Sequence, residues 1–319
     1  MEKTEVKIKR TIIEGKSALF HFGIKIAFAK IRCIWDDESL RSVQYKNKLL
    51  LGYLKKNYKS ILKKYSSLSE VEQPDTIKNM EPIWVFWWQG REKMPEIIRL
   101  CQMSKEKAAG THPVILLSSE NVKDYVDFPD YIWNQFDLGK IRIQHLSDMI
   151  RVHLLYKYGG LWLDASIFCS KELPEFIFNT PIYSLKGKPD FRYISNNRWT
   201  TFVIAGQKEN ILCKFLNEFF EEYCKKGKPF IDYFMFDCAI ALAYENIAAV
   251  RGEIDQIAMN EGDCYWLNTA LTELEGKELI CQMKKESSVF YKIAWNRPWK
   301  PEQYRALKHY LSSQFKEEQ

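Results

Sequence analysis

The chain has 319 residues, 46% of them hydrophobic and 14% aromatic, enough to bury one large core and still carry an appendage. Its eight cysteines are scattered without a C-x-x-C pair, which points to buried reduced thiols and away from zinc or a disulfide framework. The net charge of +6 is uneven, because residues 1–66 hold sixteen Lys or Arg against six Asp or Glu, leaving −4 on the remainder.

A basic excess confined to one end, with no recognised nucleic-acid module, predicts an anionic surface as neighbour and no nucleic acid as partner. Residues 1–75 read as a basic helical extension, and 76–319 as an α/β domain. Within residues 16–35, Leu19, Phe20, Phe22, Ile24, Ile26, Phe28, Ile31 and Trp35 form a broad apolar arc on one helix, with His21, Lys25 and Arg32 opposite. Such an arc either packs on the following domain or lies on anionic lipid, and both can hold in part. A second basic helix is expected over 45–64, then a linker over 66–75 carrying Pro74.

The charged first ten residues point away from a secretory leader. The most apolar long stretch, 229–250, is interrupted by Asp232, Asp237, Glu245 and Asn246, which suits a buried helix better than a membrane span. The expected location is cytoplasmic, extending to a peripheral position on the inner face of the cytoplasmic membrane.

From residue 81 the pattern turns α/β. A strand is predicted over 82–88, its crossover helix over 95–108, and strands at 114–117 and 140–144. After a helix and strand within 147–163 come strands at 182–185 and 201–205 and an amphipathic helix at 211–224. This alternation predicts a mostly parallel sheet. In the first strand, Val85 and Trp87 fall on one face and Phe86 and Trp88 on the other.

Residues 147–166 carry the strongest signal. Ser147 is suited to cap a helix, with Asp148 in its first turn and Arg151 three residues on, on the same face. Gly159-Gly160 supplies a left-handed stop, and Leu161-Trp162-Leu163 is a short buried strand ended by Asp164. The carboxyl end of such a strand is where open α/β sheets bind ligands. Each piece has a plain structural reading: a capped, salt-bridged helix, and a turn-forming aspartate. The combination and its spacing raise it above those. His145, His153 and His309 show no metal-ligand spacing and read as structural.

The segment resembles the DxxR…GG-x-x-x-D core of glycosyltransferases with the GT-A fold, most closely bacterial capsular-polysaccharide-synthesis transferases. Yeast initiating mannosyltransferases and glucosylating clostridial toxins are more distant likenesses. Agreeing pieces follow in the family's order: Ile83-Trp-Val-Phe-Trp-Trp-Gln-Gly90, Met94-Pro-Glu-Ile-Ile98, Tyr193-Ile-Ser-Asn-Asn-Arg-Trp-Thr200 and Ile231-Asp-Tyr-Phe-Met-Phe-Asp237. One departure matters, since related enzymes carry Asp-x-Asp where this chain has Asp164-Ala165-Ser166. A serine hydroxyl is a poorer partner for a hard divalent cation than a second carboxylate.

The resemblance implies a Rossmann-like nucleotide-sugar domain with a helical N-terminal extension, and it assigns roles. Trp87 would stack on the nucleotide base, with Gln89-Gly90 letting the backbone approach. Asp148 and Arg151 would hold ribose, sugar hydroxyls or diphosphate. Asp164 would bind ribose or a Mn²⁺ or Mg²⁺, with Ser166 and Ser288 completing the metal shell. Lys292 would neutralise the leaving diphosphate. Asp237, in a hydrophobic helix start, either caps an internal network or touches donor sugar or acceptor, and Asp232 reads as that helix's N-cap. The implied reaction is retaining transfer of a hexose from a UDP-linked sugar to a lipid-linked capsular or surface polysaccharide. The competing reading is a decayed transferase serving as a scaffold in polysaccharide assembly.

Overall fold

The computed structural model describes residues 2–67, 81–260 and 262–315. The expected linker over 66–75 therefore lies, from residue 68 on, outside the described residues. Four helices come first: α1 (Glu2–Phe22), α2 (Ile24–Trp35), α3 (Leu40–Asn57) and α4 (Lys59–Ser66). The single helix expected over 16–35 is broken at Gly23, whose φ of 90° no ordinary helix admits. α1 and α2 fold back on each other, with Gly15 opposite Ile31 and the Trp35 Nε1–H donating to Thr11 Oγ1 at 3.0 Å.

The later helices of the extension bury one stripe. Leu50, Leu54, Tyr58, Leu62 and Tyr65 recur at helical spacing and join the same core as Phe215, Phe219 and Tyr223 of a later helix. Tyr58 stacks on Tyr223 with ring centres 5.8 Å apart, and Tyr65 meets Phe215 edge-on at 5.5 Å.

The α/β part follows as β1 (Ile83–Phe86), α5 (Glu96–Ala108), β2 (Val114–Leu117), α6 (Val122–Tyr125), α7 (Asp130–Asp137), α8 (Ile143–Tyr158) and β3 (Gly160–Leu163). Next come β4 (Ile167–Cys169), α9 (Phe176–Asn179), β5 (Ile182–Ser184), β6 (Val203–Gly206), α10 (Ile211–Lys225), α11 (Met235–Asn246) and α12 (Ala248–Gln256). The chain closes with α13 (Trp266–Glu273), α14 (Gly276–Lys285), β7 (Phe290–Lys292) and α15 (Pro301–Gln314).

Five strands form a mixed sheet in the order β2-β1-β3-β6-β5. The mostly parallel sheet expected from the alternation holds on one side only. β2, β1 and β3 are parallel, whereas β6 pairs antiparallel with both β3 and β5. Parallel pairing needs a long crossover, which α5 and α6–α8 supply. β6 alone runs against the other four strands: it lies between β3 and β5 and pairs antiparallel with each, so β5 again points the same way as β3.

The sheet is sandwiched, as the strand alternation predicted. Trp84, Phe86 and Trp162 face α8, α10 and α11, while Val85 and Trp87 face α5 and α13–α15. A second ladder, β4 with β7, was not foreseen. It sets Lys292 opposite Ile167, three residues after Asp164.

The expected strand at 140–144 is instead the approach to α8. That helix starts at Ile143 with Arg142 as its N-cap, so Ser147 is not a cap and Asp148 sits in the second turn. Ile143, Leu146, Met149 and Ile150 extend the helical spacing backward, and that stripe outweighs a four-residue alternation. The helix ends as foreseen, at Gly159 and Gly160 with φ of 72° and 97°. A Cβ on Gly160 would lie 2.1 Å from the Pro82 carbonyl oxygen, the same oxygen that accepts from the Leu161 N–H at 2.9 Å. Only glycine lets β3 enter beside β1 there. No helix among the described residues is long and apolar enough to cross a membrane.

Candidate active site

A cleft of about 1670 Å³ opens outside the carboxyl ends of β1 and β3. β1 delivers Trp87 and Gln89 to it, β3 delivers Asp164, α8 delivers Asp148 and Arg151, α11 delivers Asp237, and β7 delivers Lys292. Five parts of the chain thus converge there.

Arg151 is the hub. It is 4% exposed, and its Nη1 donates to Asp148 Oδ1 at 2.7 Å while Nη2 donates to Asp164 Oδ1 at 3.0 Å. Trp162 and Phe236 lie 4.8 and 5.0 Å from the guanidinium carbon, so the fork is held between aromatic rings as well as between acids. Its Nε has no protein partner among the described residues.

Asp164 is saturated with donors. Oδ1 also accepts from the Trp162 Nε1–H at 2.9 Å, and Oδ2 accepts from Lys292 Nζ at 2.6 Å. Burial pushes this carboxyl up, but the charges of Lys292 and Arg151 and their hydrogen bonds outweigh it, taking the pKa down to about 2. The aspartate is therefore ionised at any working pH.

Beneath it lies a residue the sequence reading passed over. Lys105 of α5 is fully buried, and its Nζ donates to the Ala165 carbonyl at 2.9 Å. Burial lowers its pKa. The available signal was a lysine four residues after Cys101 on the apolar stripe of that helix, where a solvated side chain has no place.

Asp237 lies in the first turn of α11 and accepts from the Trp199 Nε1–H at 3.0 Å. Burial raises its pKa to about 7 against the pull of that hydrogen bond, and the Asp148 charge adds to the rise. Asp232 is not the cap of α11, which begins at Met235. It accepts instead from the Phe234 N–H and pairs with Lys46 at 3.3 Å and Lys30 at 3.5 Å, from α3 and α2. The charge is spent tying the extension to the cleft wall, a use that outweighs a cap.

Trp87 turns its ring edge-on to Trp295 at 5.7 Å, and its Nε1–H has no partner among the described residues. Gln89 is exposed, and Gly90 follows with φ 80°. Ser166 is buried at the cleft wall. Ser288 is not brought there. The register Phe290–Cys169 and Lys292–Ile167 runs the chain before β7 away from Asp164. Four extended residues from Lys292 amount to roughly 13 Å. Its carbonyl instead accepts from Ser170 Oγ at 2.7 Å. His145 is stacked on Phe230 with ring centres 4.0 Å apart, a packing role.

The donor set at Asp164 does not fit a divalent cation. Such an ion takes about six oxygen ligands, mostly carboxylate or water. Here both oxygens of Asp164 are engaged by cationic or N–H donors, the neighbouring Asp148 is held by Arg151, and Ser166 adds a neutral hydroxyl. No group of three or more His, Cys, Asp or Glu among the described residues could hold a metal.

A parallel β2-β1-β3 unit with a charged cleft at its strand ends defines a Rossmann-like α/β protein of the ligand-binding kind. The chain belongs to the capsular polysaccharide synthesis protein family, matching it over residues 31–311. It is similar to glycosyltransferase afumC of Aspergillus fumigatus, 24% identical over 170 residues that cover 47% of this chain and 42% of that protein. It is also similar to O-glycosyltransferase braB of Annulohypoxylon truncatum, 30% identical over 106 residues, 30% of this chain and 25% of the relative. The chain thus spans less than half the length of either.

Proposed function

We propose that the protein is a glycosyltransferase of the GT-A kind, moving a hexose from a nucleotide sugar, UDP-linked in the first instance, to a lipid-linked surface polysaccharide. The observation that carries this reading is the Asp148–Arg151–Asp164–Lys292 chain of ion pairs at the ends of β1 and β3. The family and the two glycosyltransferase relatives support the same class.

In this reading Trp87 stacks on the base. Asp148 and Asp164 accept from ribose or sugar hydroxyls. Arg151 and Lys292 stabilise charge developing on the departing diphosphate, in a partly dry cleft where that is worth most. The resembled enzymes retain anomeric configuration, and retention is the first expectation. One observation favours inversion as a second reading. Asp237 faces the cleft with a pKa of about 7, suited to take a proton from an acceptor hydroxyl.

The acceptor's lipid linkage is supported by the extension. α1 and α2 leave Phe20 86%, Ile24 73% and Phe28 58% exposed, on helices that also show Lys9, Lys16 and Lys25 to solvent. That is the composition of a surface resting on anionic lipid.

The test is nucleotide diphosphate release from a panel of UDP- and GDP-hexoses, with NMR of the product anomer. Release from one donor, lost in Arg151→Ala, supports the reading. No release and no nucleotide binding would return the protein to the scaffold reading.

A further inference from the structure

We propose that the donor diphosphate is neutralised by the Lys292 ammonium, standing where a divalent cation would otherwise sit, so that donor binding is metal-independent. This rests on the nucleotide-sugar reading of the cleft.

The lysine is built into position. Its N–H donates to the Cys264 carbonyl at 2.7 Å, its carbonyl accepts from Asn268 Nδ2 at 2.6 Å, and β7 is laddered to β4. The ammonium lies 5.0 Å from the Phe202 ring centre and 2.6 Å from Asp164 Oδ2. Its side chain remains 25% exposed, so the head group is reachable from the cleft. An ammonium has three donors, and Asp164 uses one, leaving two for diphosphate oxygens.

A divalent ion at the same carboxylate meets opposition from every side. Oδ1 is taken by Arg151 and Trp162, and Oδ2 by Lys292, so an incoming ion must displace an ammonium while facing a buried guanidinium. The second aspartate that would reward this exchange is Ser166. Where a second acid would hold an inorganic cation, this cleft has a neutral Ser166 and, opposite Ile167, the ammonium of Lys292.

The full chain is titrated by calorimetry with UDP and with GDP, in EDTA and in saturating Mn²⁺, as the unaltered protein, Lys292→Met and Lys292→Arg. Thermal melting accompanies each variant. The expected result is binding in EDTA within about threefold of that in Mn²⁺, weakened about tenfold or more by Lys292→Met and largely kept by Lys292→Arg. Binding seen only with Mn²⁺ overturns the inference and leaves the nucleotide-sugar reading intact. Binding in EDTA that ignores Lys292→Met overturns the role of the lysine. Absence of binding under both conditions removes the underlying reading and the inference together. If Lys292→Met does not fold, the comparison of EDTA and Mn²⁺ on the unaltered chain decides.

Discussion

Arg151 Nη2 donates to Asp164 Oδ1 at 3.0 Å, joining the middle of α8 to the carboxyl end of β3. The bond matters because Nη1 holds Asp148 at the same time, so one planar fork sets the spacing of two acids. A lysine carries the charge but cannot span both. Arg151→Lys is expected to weaken nucleotide binding about tenfold with a small loss of stability. Arg151→Ala leaves two acids facing each other and costs roughly 3 kcal/mol, the low end for a broken pair. The low end applies because Asp148 and Asp164 keep side-chain exposures of 16% and 27% and water screens them. Urea midpoints and calorimetry check both; unchanged binding in Arg151→Lys removes the hub role.

Asp237 gives stability a pH slope. Its folded pKa of about 7 lies above the 3.8 usual for an aspartate, so the folded state holds a proton that the unfolded chain has already released between those values. Stability from this group is complete below pH 3.8 and falls as pH rises toward 7, after which both states are ionised. Asp237→Asn keeps the acceptor for Trp199 and removes the charge. It is expected to raise the melting temperature by about 2–4 °C at pH 8 and to leave it nearly unchanged at pH 4. An equal shift at both pH values contradicts the raised pKa.

Gly160 tests the strand entry. With φ 97° and the Pro82 carbonyl 2.1 Å from any added Cβ, Gly160→Ala is expected to cost on the order of 3–5 kcal/mol or prevent folding. Gly139, with φ 69° and open space around it, is the control, and Gly139→Ala costs about 1 kcal/mol. Soluble yield and urea midpoints separate the two, and similar losses contradict the close approach.

The glycine stop, the buried Leu161-Trp162-Leu163 strand and the Asp164 that ends it were legible because each is decided within a few residues. The start of α8 was not, because Ile141 and Ile143 alternate as a strand does until Leu146 and Ile150 are counted with them. The β4–β7 ladder joins residues more than a hundred apart, and nothing local in residues 290–292 announces that partner. Asp232 was misread for a related reason, since Lys30 and Lys46 reach it from the far end of the chain. Lys105 was visible as an anomaly on an apolar stripe. Its partner, the Ala165 carbonyl, belongs to another element.

The apolar face of the extension carries the last prediction. Because Leu50, Leu54, Tyr58 and Tyr65 belong to the main core, deleting residues 1–75 would strip that core and confuse any binding result. Phe20, Ile24 and Phe28 offer a cleaner test, since all three are more than half exposed and their loss removes little packing. Each buries about 1.5–3 kcal/mol of apolar surface on entering lipid, and each nearby lysine adds about 1 kcal/mol on an anionic bilayer. The triple variant Phe20→Ser, Ile24→Ser, Phe28→Ser is expected to keep its circular dichroism and melting temperature. In flotation it should lose at least about tenfold in affinity for vesicles rich in anionic lipid. Neutral vesicles should recruit the unaltered chain more weakly than anionic ones, because the lysine contribution is then lost. Equal flotation of variant and unaltered chain removes the membrane role, and the exposed face must then meet another surface.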